Sequence, residues 1–92
     1  MTNAEIAAVF EDIAGMLRVK KDNIFKIRAY EKVARSIDGL TVPVAQLVSE
    51  GRLKEVPGAG EAIIKKINEL VATGRLGYYE KLKAELAGSG EP

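Results

Sequence analysis

The chain has 92 residues, 47% hydrophobic and 29% charged, with a formal net charge of +1. That suits one globular domain, which buries roughly 60–65% of its unfolded surface in one modest core. It has no Cys and no His, which excludes a disulfide framework, thiolate metal sites, zinc hydrolysis and His-based triads. The amino-terminal MTNAEIAAVFEDIAG lacks a basic stretch, and no apolar run approaches the ~20 residues of a membrane span. A soluble intracellular protein is therefore expected. Charge is unevenly placed. Residues 1–17 carry Glu5, Glu11 and Asp12 and no base. Residues 18–35 carry seven bases (Arg18, Lys20, Lys21, Lys26, Arg28, Lys32, Arg35) against Asp22 and Glu31. That segment reads equally as an anion-facing surface or as a solvated face.

In chain order, Asn3 stands where an N-cap is needed, and Ile6, Val9, Phe10, Ile13 and Leu17 follow at helical spacing. A helix over about 4–18 is expected. Lys20 to Asn23 form a polar break. A second helix, over about 25–37, puts Ile27, Tyr30, Val33, Ala34 and Ile37 on one face and ends at Gly39. Thr41 and Pro43 open a short third helix carrying Val44, Leu47 and Val48, stopped by Gly51. Leu53 to Val56 give about one turn. A helix over about 61–73 follows, with Gly74 as its stop. A last helix, over about 77–87, presents Tyr79, Leu82 and Leu86. Residues 88–92, GSGEP, read as a flexible tail behind a domain of residues 1–87. No strand pattern and no clear repeat is present. The expected fold class is all-α, a compact bundle of about five to six short helices.

Between two of these helical patterns lies Val56-Pro57-Gly58-Ala59-Gly60. An apolar residue and a Pro precede two Gly around one small residue. That is the sequence form of a helix-hairpin-helix, which grips nucleic-acid backbone. Gly58 and Gly60 are expected to shape a tight turn and to admit another backbone where no Cβ intervenes. The amides around Gly58, Ala59, Gly60, Glu61 and Ala62 open a helix, where unpaired donors and the dipole favour phosphate. Lys65 and Arg75 would add charge. A plain inter-helix turn is the alternative reading.

Lysine is the only plausible nucleophile type. A neutral lysine amine attacks an aldehyde and forms a Schiff base, provided burial or nearby cations depress its pKa. On the 61–73 helix, Ile63, Ile64, Ile67, Leu70 and Val71 fill an arc of about 120°. Lys66 falls about 40° outside that arc, with its stem against the core. Lys65 points to the far face, where Glu69 is placed to pair with it at i,i+4. Lys66 is thus the better candidate for a perturbed amine, and a lysine that only covers apolar surface is the alternative. Arg28, Lys32 and Arg35 share a polar face of the second helix. Lys26 lies instead beside Tyr30 at the edge of the apolar face. That pairing suits a small anion pocket, or equally a core tyrosine with a neighbour reaching for water.

These pieces together resemble the N-terminal helix-hairpin-helix domain of the X-family, polymerase-beta-type DNA polymerases, especially the bacterial branch. The matching stretches are AEIAAVFEDIAGML, NIFKIRAYEKVARSIDGL, GRLKEVPGAGEAIIKKINELVATGRL and YYEKLKAEL. The resemblance implies a compact helical domain that binds the 5′ side of gapped DNA. In several members it also removes a 5′-deoxyribose phosphate through a lysine Schiff base. Carried over position by position, that lysine falls on Lys66. The 5′-phosphate pocket falls on Lys26, Tyr30 and Lys54, with further contacts at Phe25 and Ala62. The carbonyls of Lys54, Val56 and Ala59 would hold a monovalent cation, Na⁺ or K⁺, and no other cofactor is required. Three positions depart from the vertebrate pattern: Phe25 replaces a polar, base-stacking residue, Ala62 a phosphate-contacting lysine, and Tyr78 a basic residue. Lys65, Arg28 and Arg35 could supply some of the missing charge. The polymerase palm does not fit in this chain, so no polymerase activity is expected.

The sequence therefore predicts a monomer that binds DNA without sequence preference at 5′-phosphorylated gaps or ends. Its partners would be gapped, nicked or single-stranded DNA, with a separate polymerase or repair protein, in the bacterial cytoplasm at the nucleoid and away from membranes. Two rival readings accompany it: a 5′-deoxyribose-phosphate lyase acting through Lys66, and a protein-interaction module without DNA binding.

Overall fold

The computed structural model describes residues 1–89, with five α-helices, one 3₁₀ turn and no strand among them. Helices α1 (Asn3–Val19) and α2 (Ile24–Asp38) form the base of the bundle. Ile6, Phe10, Ile13 and Leu17 of α1 meet Ile27, Tyr30, Val33 and Ile37 of α2, all of them buried. Their spacing of three and four residues puts each set on one stripe, so the two stripes close on each other. Phe10 sits at the centre, its ring stacked on Tyr30 at 6.0 Å between centroids. Burial of such a ring contributes about 2–3 kcal/mol.

The cap of α1 is Thr2, not Asn3. The Thr2 hydroxyl accepts from the Glu5 amide at 3.1 Å, and the Glu5 carboxylate accepts from the Thr2 amide at 2.7 Å, a reciprocal capping box. Asn3 caps a different helix. Its side-chain oxygen accepts from Val44, the first residue of α3 (Val44–Ser49), and its amide donates to the Val42 carbonyl, both at 2.8 Å. Pro43 precedes α3 and offers no side-chain cap of its own. Asn23 caps α2 by accepting from the Phe25 amide at 2.8 Å.

After α3, a 3₁₀ turn (Leu53–Glu55) leads into the glycine-rich segment and α4 (Glu61–Thr73). Leu53, Val56, Ile63, Ile67 and Leu70 complete the core from this side. Helix α5 (Gly77–Ser89) folds back on α1. The Tyr79 hydroxyl donates to Asp12 at 2.6 Å, and Lys20 pairs with Glu85. The Asp12 bond, with burial second, pushes the Tyr79 phenol up to about 12. Gly88 and Ser89, expected in the flexible tail, belong to α5; the rest of that expected tail, residues 90–92, lies outside the described residues. No helix among the described residues is long and apolar enough to cross a membrane.

Candidate nucleic-acid interface

The hairpin is a β-turn on Val56-Pro57-Gly58-Ala59, closed by the Ala59 amide donating to the Val56 carbonyl at 3.0 Å. Gly58 has φ +88°, the left-handed conformation that a Pro–Gly turn of type II needs at its third position. A Cβ there would also lie 3.1 Å from Cγ of Lys32. The turn is thus seated on the aliphatic stem of Lys32. Ser36 holds it from the same helix, its hydroxyl donating to the Pro57 carbonyl at 2.8 Å. Gly60 behaves differently from the expectation. Its backbone is extended (φ −76°, ψ 175°), a conformation open to any residue. Nothing lies within 4 Å of where its Cβ would stand. Gly60 is therefore not needed for the turn, and its lack of a side chain leaves open space in front of α4.

That space faces the start of α4, which has no side-chain cap. The Gly60 carbonyl receives the Ile64 amide at 2.9 Å, while the amides of Glu61, Ala62 and Ile63 have no acceptor within the helix. They open beside a cavity of about 390 Å³ lined by Lys26, Ala29, Tyr30, Gly58, Gly60, Glu61, Ala62, Ile63, Lys66 and Tyr78. A second hollow of about 450 Å³ shares Glu61, Ala62, Lys66 and Tyr78 with it and adds Lys65 and Glu69.

Lys66 stands where its angle on the helix predicted, half-buried at the cavity edge. Burial, and then the nearby Lys26 ammonium, lower its pKa below the ordinary lysine value, with Glu69 opposing. Both ammoniums lie over the ring of Tyr78, Lys66 at 4.7 Å and Lys26 at 5.7 Å from its centroid. Lys26 also pairs with Asp22 at 3.8 Å. Tyr30 is 4% exposed and still reaches the cavity wall. Burial first, and then the Tyr78 phenol, raise its pKa, so its hydroxyl is a donor throughout the physiological range. Tyr30 is thus both a core residue and a cavity residue.

The other predicted residues are more scattered. Lys54 sits in the 3₁₀ turn, exposed and not on the cavity wall. Phe25 is 76% exposed on the first turn of α2, beside Ile24 and outside the cavity. Lys65 is exposed, and the expected Lys65–Glu69 pair is not formed. Glu69 accepts from the Gly77 amide at 2.8 Å instead. Arg75 lies beyond the far end of α4, about 20 Å away along a helix of this length, and pairs with Glu80 at 2.5 Å. Within the basic segment, Arg18 pairs with Glu31 and Lys20 with Glu85. Arg28, Lys32 and Arg35 form no ion pair among the described residues and remain exposed on α2. Lys32 was visible in the sequence only as one of three bases on a polar face; its place beneath Gly58 is a long-range contact that periodicity does not encode.

No cluster of metal-ligating side chains exists among the described residues. The hairpin carbonyls are another matter. The Val56 carbonyl accepts one hydrogen bond and keeps a lone pair, and the Ala59 carbonyl accepts none from a loop amide.

A search of curated proteins gave no match. The helix-hairpin-helix domain family model matches residues 1–76, which takes in the hairpin, the cavity except Tyr78, and most of the core. The chain belongs to the helix-hairpin-helix domain family.

Proposed function

We propose that this domain binds DNA through its phosphate backbone, at ends or gaps that carry a 5′-phosphate, as an N-terminal domain of X-family polymerase type does. Domains of this family generally bind DNA without reading its sequence. The observation that carries the reading is the uncapped start of α4, opening beside a cavity that holds the Lys26 and Lys66 ammoniums. Amides at a helix start and two cations at one small cavity are complementary to a dianion. Glu61 and Ala62 contribute their amides. The Glu61 carboxylate is the one acid on that wall among the described residues, and the two ammoniums outweigh its charge. Arg28, Lys32 and Arg35 extend the contact along α2. The Lys54, Val56 and Ala59 carbonyls would hold a monovalent cation, which would add positive charge at the hairpin.

A second reading has its own observation, the depressed amine of Lys66 at the cavity edge. In a lyase, the neutral amine adds to the aldehyde carbon of an opened deoxyribose and water leaves. Borohydride reduces the resulting protonated imine to a stable secondary amine. A covalent adduct that disappears in Lys66→Ala supports this chemistry.

The primary test is binding to a duplex with a one-nucleotide gap, with and without the 5′-phosphate, across a salt series. The expected result is tighter binding with the phosphate and a log–log salt slope of about −0.9 for each phosphate neutralised. Equal affinity for both duplexes would reduce the function to general backbone binding. No binding at low salt would leave a protein-interaction module.

A further inference from the structure

We propose that Tyr78 is the positioning residue of the lysine pair, holding the Lys66 ammonium at the mouth of the cavity and Lys26 beside it on one fixed aromatic ring. Three rings run in sequence from the core to the cavity. Phe10 is fully buried and stacks on Tyr30 at 6.0 Å and 19°. Tyr30 stacks on Tyr78 at 6.3 Å and 17°. The outermost ring therefore inherits its orientation from the α1–α2 core, although it belongs to α5. Its centroid is 4.7 Å from Nζ of Lys66 and 5.7 Å from Nζ of Lys26. Tyr78 also lines both hollows beside α4.

The ring solves a physical problem. Two ammoniums at one small cavity repel each other and would swing apart into water on their flexible stems. An aromatic face attracts both, and it does so without neutralising either. A carboxylate in its place would pair with the lysines and compete with a bound phosphate. A third cation would drive them apart. Lys26, which Asp22 also pairs with at 3.8 Å, and Lys66 thus stay beside each other on one ring. The role depends on the ring rather than the hydroxyl, because the attraction and the stacking both come from the π face.

The inference rests on the proposed use of the cavity, but its first test does not. In carbon–proton spectra of the free protein, the ε-methylene of Lys66 should be displaced upfield by the Tyr78 ring. Tyr78→Phe should preserve the displacement, and Tyr78→Leu should return the signal to the ordinary lysine position. An ordinary Lys66 signal in the unaltered protein, or one indifferent to Tyr78→Leu, overturns the proposal. The second test is borohydride trapping on a gapped duplex ending in 5′-deoxyribose phosphate. Tyr78→Leu should trap about tenfold less than the unaltered protein, and Tyr78→Phe should be within about twofold of it. Equal trapping by Tyr78→Leu also overturns the proposal. Absence of adduct in every protein, with the upfield signal intact, removes the aldehyde chemistry and supports the placement of Lys66 by Tyr78.

Discussion

The two ends of α4 treat their backbone groups in opposite ways. At the carboxyl end, side chains and the following loop tie the helix into the fold. The Gly74 amide donates to the Leu70 carbonyl at 2.7 Å, with Gly74 left-handed at φ +74°. The Thr73 hydroxyl donates to the Glu69 carbonyl at 2.8 Å and accepts from the Arg75 amide at 3.1 Å. The Glu69 carboxylate takes the Gly77 amide, and Arg75 pairs with Glu80. At the amino end there is no side-chain cap, no atom near the missing Cβ of Gly60, and a cavity with two lysines. Helices α1 and α2 show that this sequence can cap a helix with Thr2 or Asn23. One end is tied into the fold, and the other keeps the open amides on which the proposed binding rests.

The two hairpin glycines break this comparison most sharply. Gly58→Val forces a β-branched residue to φ +88° and presses on Lys32. A cost of about 2–3 kcal/mol is expected, or roughly 10–20 °C in Tm for a domain of this size, together with at least a tenfold loss of DNA affinity. Gly60→Val meets no neighbour and keeps an allowed backbone. It should change stability by no more than about 1 kcal/mol. Yet it places an isopropyl group in the open space of the proposed phosphate site, so about a tenfold loss of affinity is expected. Thermal unfolding by circular dichroism and gapped-duplex binding on the same samples check both. Unchanged affinity in Gly60→Val would remove the hairpin from the DNA surface.

At the closed end, Glu69→Ala removes the acceptor of the Gly77 amide, an exposed charged hydrogen bond. A loss of about 1 kcal/mol is expected, seen as a fall of about 4–8 °C in Tm. DNA affinity should hold or rise slightly, since an acid near Lys66 is gone. A marked loss of affinity with little loss of stability would show that this end also serves the ligand.

Much of this contrast was legible in the sequence. The stripes of α1, α2 and α4 follow directly from apolar spacing, and the same spacing placed Lys66 at the core edge, because a helical angle is a local property. Gly74 announced its stop for the same reason. Most of the departures are long-range. Asn3 is a capping residue by type, but the helix it caps begins 41 residues later. Glu69 stands at the right interval from Lys65, yet an unpaired amide on the next helix is a better partner than an exposed ammonium. Tyr78 could be noticed as an unusual residue near Lys66, but no periodicity puts its ring under two lysines from different helices. Gly60 is the local exception: a Gly-x-Gly segment does not reveal which glycine needs a positive φ.

A smaller effect tests the same logic at two helix ends that lie away from the cavity. Helices α1 and α3 close with the same pair of bonds. After α3, the Arg52 amide donates to the Leu47 carbonyl at 2.8 Å and the Gly51 amide to Val48 at 3.1 Å, with Gly51 at φ +67°. After α1, the Asp22 amide donates to Leu17 at 2.9 Å and the Lys21 amide to Arg18 at 3.0 Å. Here the left-handed position, at φ +58°, is Lys21, the one non-glycine residue with positive φ among those described. This arrangement favours glycine because a Cβ crowds the carbonyl in that conformation. Lys21→Gly should therefore stabilise the domain by about 0.5–1 kcal/mol, raising Tm by a few degrees. Lys21 is exposed and forms no ion pair among the described residues, so its charge has no partner inside the fold. If the salt slope of DNA binding is unchanged while Tm rises, Lys21 is a solvated cation at a strained corner. If the slope falls by about one phosphate, the lysine is kept there, at a cost in stability, because the corner between α1 and α2 touches the backbone that the hairpin grips.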